Sequence, residues 1–282
     1  MPIILHEQEG LKIVKNDKNK FCVVTLHYTA DPRKRTEEWK REAESGMTPA
    51  QWAKEYEIDY TALYGQKVFP ELATNKARIV IHPPYPEFPD FQTCWGGFDY
   101  GGRSPASFHV YTICDGATYA IWELYEPCGN VADFAKKMQE CPYWNRIKYI
   151  AADPSIWWKN QQAKQGALTS IYELFIENKI YKFLQGVTDE PAWIAQMRQH
   201  WTDPDDPTFK IFDCCPMMVK EFEEAVYAST SDKALMTQNL RENILDKNNH
   251  SLDDCKYYMN SKPRLAKERT KGIKPFIKKW LH

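Results

Sequence analysis

The side chains in this sequence that could do chemistry together are acids, and they fall in three short stretches. Asp99 lies in WGGFDYGGRSP (95–105), Asp153 in YIAADPS (149–155), and Asp253 and Asp254 in NNHSLDDCKYYMN (248–260). Asp is a poor strand former, and glycines inside a strand often mark the close approach of a ligand or another backbone. Taken alone, the glycine-flanked Asp99 reads as a turn. Asp153 closes an apolar run and precedes Pro154, which biases it away from helix; Asp-Pro is also a common turn start. In the third stretch, helical spacing puts Leu252, Cys255 and Tyr258 on one apolar face. His250 and Asp253, three apart, are then neighbours, and Asp254 points about 100° away from Asp253. The plainer reading of His250, Asp253 and Asp254 is that they cap and charge the first turn of that helix.

The chemistry that would unite them is phosphodiester hydrolysis. Two divalent ions about 3.5–4 Å apart can neutralise the phosphoryl charge and activate water. Hard cations such as Mg²⁺ or Mn²⁺ want oxygen ligands and take few protein carboxylates. Three aspartates on separate rigid elements suffice. Asp99 best suits the role of bridging two ions, with Asp153 as a second acid and Asp253 or Asp254 of the late helix as the third. The glycines beside Asp99 are expected to give clearance for a nucleic-acid backbone.

The elements that must position these acids can be read from periodicity and turn chemistry. CWGGFDYG, ASFHVYTIC and ATYAIWELYE read as three strands joined by the short turns GGRSP and DGA. NVADFAKKMQEC has helical spacing, and IKYIAAD is a buried strand ending on Asp153. Helices are expected in LTSIYELFIENK, DEPAWIAQMRQHW, MVKEFEEAVYAS and NHSLDDCKYYMN, and short strands in IYKFL and TFKIFDCC. The order predicts an α/β fold: a mixed sheet of three antiparallel strands, then parallel strands with crossover helices, flanked by helices. A crossover lets the fourth strand lie parallel to the first, which brings Asp99 and Asp153 together. Upstream, a strand is expected in FCVVTLHYTAD (21–31) and a charged helix over 35–56, interrupted near SGMTP. The proline-rich IHPPYPEFPDF predicts a linker over 81–92.

The ordered set GFDYG (97–101), AADPS (151–155) and HSLDDCKYY (250–258) resembles the nuclease domain of tailed-phage terminase large subunits, which drive DNA packaging. EYEIDYTALYGQKVFPEL (55–72) resembles the segment joining that family's ATPase to its nuclease, and VVTLHYTADP (23–32) resembles the end of the ATPase. The resemblance implies a ribonuclease H-like fold over 91–262. Residues 1–90 would be the ATPase end and linker, and 263–282 a basic tail. It implies a metal-dependent endonuclease that cuts concatemeric viral double-stranded DNA, using two Mg²⁺ or Mn²⁺ ions on Asp99, Asp153 and Asp253. Where the family usually has a small residue, this chain has Asp254. His250 is a proton shuttle, an outer group or a helix cap, and Glu123 in IWELYE is a further candidate facing the site. Implied partners are the portal protein, the small terminase subunit and the motor's ATPase part, in a host-cell cytoplasm. The phosphate-binding string G-x-x-x-x-G-K-[ST] does not occur, so ATP hydrolysis by this chain alone is not expected. The alternatives are a branched-DNA resolvase or transposase of the same superfamily, and a non-catalytic docking module of the motor.

Bulk properties narrow the partners. The formal net charge is −1 over 282 residues, yet residues 261–282 hold eight bases against one acid. Such a tail is either a solvated end or a phosphate-contacting arm. Arg103, Lys159 and Lys164 flank the acidic motifs and are candidate DNA contacts. Trp157 and Trp158 follow Asp153 and read first as core residues. No apolar run of about 18 residues occurs, so no membrane span is expected, and the N-terminus lacks the pattern of a signal peptide. None of the eight cysteines forms C-x-x-C, which favours buried thiols in a reducing compartment over structural zinc.

Overall fold

The structure, a computed structural model, describes residues 2–16, 21–45, 47, 49–58, 65–83, 93–164, 167–228 and 243–263. Two compact units are present, Met1–Gln66 with Tyr227–Arg241 and Lys67–Val226 with Glu242–His282.

In the first unit, β1 (Pro2–Gln8), β2 (Leu11–Asn16) and β3 (Cys22–Leu26) form an antiparallel sheet in that order. The charged segment makes two helices, α1 (Glu37–Glu44) and α2 (Pro49–Glu55). Thr36 caps α1 by accepting from the Trp39 amide, as a threonine before a helix does. Four rings hold this unit together: Tyr28 stacks on Trp39 at 5.2 Å, and Trp52 stacks on Tyr56 at 4.4 Å.

The second unit is built on a seven-stranded mixed sheet. Its elements in chain order are α3 (Pro70–Ile79), β4 (Val80–Ile81), β5 (Cys94–Asp99), β6 (Pro105–Cys114), β7 (Ala117–Pro127), α4 (Val131–Gln139) and β8 (Ile147–Ala152). A hairpin of β9 (Lys159–Lys164) and β10 (Ala167–Ser170) follows, then α5 (Ile171–Glu177) and β11 (Phe183–Gln185). The chain continues through α6 (Glu190–His200), β12 (Phe209–Phe212), α7 (Pro216–Glu224) and α8 (His250–Asn260). The strand order is β11-β8-β5-β6-β7-β12-β4. β5, β6 and β7 are antiparallel neighbours, and β8 lies parallel to β5, as the sequence predicts. The division between units falls at Gln66/Lys67 rather than near residue 90. β4 has already paired with β12 before the prolines begin, and Val68 N–H bonds the Ala225 carbonyl at 3.0 Å. Most of the expected linker (84–92) and nearly all of the basic tail (264–282) lie outside the described residues.

β5 is buried along its whole length, so each of its faces packs on something. Side chains alternate across a strand. Phe98 faces α4 and α5, its ring 5.8 Å from Phe134 and 5.4 Å from Phe175. Burying such a ring contributes roughly 1.5–3 kcal/mol. Gly97 and Asp99 face the other way, toward α8, which packs on β5, β6 and β8 with α6 and α7 beside it. Local signals fix the helices: Asn130 caps α4, a capping box of Ser170 and Glu173 opens α5, and Asp189 caps α6.

Candidate active site

Asp99 is the last residue of β5 and is only 7% exposed. The next strand over delivers Asp153, whose amide donates to the Phe98 carbonyl at 2.9 Å. Both Asp153 oxygens serve Ser155: one accepts from its amide at 2.8 Å, the other from its hydroxyl. Asp153 therefore also opens the 3-10 turn Pro154–Trp157, as the turn reading expects.

The third acid comes from the first turn of α8, where a negative charge suits the helix dipole. Asp253 Oδ1 accepts from Lys256 Nζ, and Oδ2 from the Asn249 side-chain amide at 3.2 Å. His250 opens the same helix, with Nδ1 2.9 Å from Asp99 Oδ2. Burial pushes Asp99 up to about 7; the His250 contact opposes this, and the charges of Asp253 and Asp153 add to it. The Asp99 contact in turn raises His250. Burial also raises Asp253, with Lys256 opposing. Asp99 and Asp253 are thus each bonded to a basic group, His250 and Lys256, while still bearing on one another. All the donor atoms of the three carboxylates are oxygens, the set that hard divalent cations prefer. Among the described residues, no three His, Cys, Asp or Glu side chains converge tightly enough to form an assembled cation site. The donor chemistry fits such an ion, and the side chains would have to turn to hold it.

Asp254 goes elsewhere. It is fully buried, and its carboxylate accepts from Ser107 Oγ, from His109 Nδ1 at 2.6 Å and from the Tyr111 hydroxyl at 2.5 Å, all on β6. The other nitrogen of His109 meets Glu123 Oε2 at 2.9 Å. An imidazole facing carboxylates at both nitrogens must donate from both, so it is charged. Burial alone would lower His109, but Asp254 and Glu123 lift it to about 10. Glu123 is likewise not turned to the site. It accepts from the amides of Met217 at 3.2 Å and Met218 at 2.9 Å, which caps the start of α7. The register puts Glu123 opposite His109, which draws it into the interior network.

The glycine expectation is corrected as well. An added Cβ at Gly97 would lie 2.3 Å from the Asp254 main-chain oxygen, and one at Gly96 would lie 2.9 Å from Ile150 and Phe108 side-chain atoms. These glycines admit helix α8 and the core, not a nucleic-acid backbone.

Arg103 is exposed on the loop after Asp99. Lys159 pairs with Glu173 at 3.6 Å, and the Lys164 side chain lies outside the described residues. Trp157 stacks on Tyr172 at 5.0 Å, whereas Trp158 is 69% exposed. Sequence reasoning missed three charged neighbours: Glu221, Lys256 and Glu190. Glu221, buried on α7, accepts from the Tyr125 hydroxyl and from the Ser251 amide at 2.6 Å, and so caps α8. No local pattern distinguishes it from the other acids of MVKEFEEAVYAS. Lys256, three residues after Asp253, had the spacing of an ion pair and was legible in principle.

No family model matches the chain, and no curated protein matches it in sequence. Solved structures do. The large terminase of a thermophilic bacteriophage is similar at 18% identity with a TM-score of 0.54, covering 82% of this chain and 53% of that one. The nuclease domain of the P22 large terminase is similar at 16% identity with a TM-score of 0.51, covering 70% of this chain and 93% of that one. The chain therefore has the mixed α/β fold of large-terminase nuclease domains, and it spans about half the length of the thermophilic phage's protein.

Proposed function

We propose that this chain is a metal-dependent endonuclease that cuts concatemeric double-stranded DNA during phage genome packaging. One observation carries the reading. On a terminase-nuclease fold, Asp99 ends β5, Asp153 directly follows the parallel strand β8 with its amide on the Phe98 carbonyl, and His250, three residues before Asp253 on α8, reaches Asp99 at 2.9 Å. In this reading Asp99, Asp153 and Asp253 would hold the Mg²⁺ or Mn²⁺ ions, with Asp99 shared between them. The chemistry such ions supply when bound is charge neutralisation at phosphorus and activation of water. The rest falls to the protein. Ser155 fixes the Asp153 carboxylate, and His250 orients Asp99 and offers a place for a proton at its Nδ1. Arg103 and Trp158, both exposed near the strand ends, are the candidate contacts to the DNA backbone. Contacts of that kind position a duplex without reading its sequence. Among the described residues, no helix is long and apolar enough to cross a membrane. The host-cell cytoplasm, portal protein, small terminase subunit and ATPase part belong to the same proposal.

The test is nicking of supercoiled plasmid by the purified chain. Cutting should appear with Mn²⁺ or Mg²⁺ and stop with a chelator. A linear duplex should be cut at least as well as a four-way junction. Preference for the junction would favour the resolvase alternative, and metal-independent cutting would overturn the reading.

A further inference from the structure

Lys256 occupies a position that the proposed chemistry does not use. It is buried, with its side chain 8% exposed, and it is bonded to Asp253. Its ammonium also lies 3.4 Å from Glu190 Oε2, at the start of α6. Glu190 is itself held, since its other oxygen accepts from the Ile244 amide at 2.6 Å. One buried cation therefore sits between two carboxylates, one a candidate metal ligand and the other fixed at the start of α6. Both Asp253 oxygens are engaged by protein donors, since Asn249 takes the second.

We infer that Lys256 is the internal counter-ion of this site. It holds Asp253 while no divalent cation is bound and moves over to Glu190 when one binds. The inference rests on the metal reading above. An ammonium and a divalent ion on one carboxylate repel each other, so the lysine must leave for the ion to enter, and Glu190 gives it a buried place with an opposite charge. Lys256 is thus a positioning residue that sets the affinity for the ion, and Glu190 acts through it.

The experiment is calorimetric titration of Mn²⁺ into the full 282-residue chain without DNA, for the wild type, Lys256→Gln and Glu190→Gln, with thermal melts as the check on folding. Lys256→Gln should bind Mn²⁺ roughly three- to tenfold more tightly. Glu190→Gln should bind it more weakly, because the displaced ammonium loses its second partner. Equal or weaker binding by Lys256→Gln, with wild-type binding intact, overturns the inference and leaves the metal reading standing. If Lys256→Gln does not fold, the Glu190→Gln arm decides: unchanged or tighter binding there overturns it. No Mn²⁺ binding by the folded wild type removes the metal reading itself.

Discussion

The Cβ that Gly97 lacks would stand 2.3 Å from the main-chain oxygen of Asp254. Helix α8 thus lies directly on β5, and that contact sets how far Asp253 and His250 stand from Asp99. Gly97→Ala should force the helix away. Overpacking of this kind costs about 1–3 kcal/mol. Urea unfolding should show that loss, and the variant should cut plasmid more slowly even where it is fully folded. Wild-type stability and rate would mean that the contact yields easily.

The His109–Asp254 pair makes a sharper prediction about stability. Asp254→Ala leaves a charged imidazole in the interior with one of its partners gone, and breaking a buried pair costs about 3–5 kcal/mol. Asp254→Asn keeps an acceptor and should cost less. Denaturant midpoints for the two variants check both the size and the order.

Glu123 separates structure from catalysis. Its carboxylate caps α7 and meets His109, and bonds none of the three proposed ligands. Glu123→Gln should lower the unfolding free energy by about 1–3 kcal/mol for the weakened buried bonds, read as a lower denaturant midpoint. The folded fraction should still cut DNA. A folded, inactive Glu123→Gln protein would place this residue in the chemistry after all.

The pH dependence follows from Asp99, which burial pushes up to about 7 against His250 and with Asp253 and Asp153. A carboxylate raised above its unfolded value favours the folded state only while protonated. Its contribution is therefore lost as pH rises from about 4 through about 7 in the metal-free protein. For the same reason Mn²⁺ binding must expel a proton below about pH 7. Apparent affinity should fall by up to about tenfold per pH unit below that point. Titrations at about pH 6 and about pH 8, in buffers of different ionisation enthalpy, measure both the affinity and the proton released.

Much of this architecture is legible in the chain, for a physical reason. β5 through β8 and α4 carry their own periodicity and turn residues, and Asp99 and Asp153 stand out because each ends an apolar run. The hairpin of β9 and β10 escapes such a reading because KNQQAK has no apolar alternation to announce a strand. β1 and β2 escape it too, although Gly10, with φ of 75°, turns one into the other. The glycines of β5 are visible, but what approaches Gly97 is a helix roughly 150 residues away in sequence, and no local signal says so. Glu190 and Glu221 are illegible for the same cause: their roles arise only when α6, α7 and α8 meet.

The central claim is that Asp99 is the shared ligand of the cutting site. The direct measurement is Mn²⁺-supported nicking of supercoiled plasmid by Asp99→Asn beside the wild type, both verified as folded by circular dichroism. The account predicts that the variant, with its β5 fold unchanged, loses cleavage by about 10²–10³-fold, the scale expected when one group that stabilises transition-state charge is removed. Cutting by Asp99→Asn at the wild-type rate would contradict it.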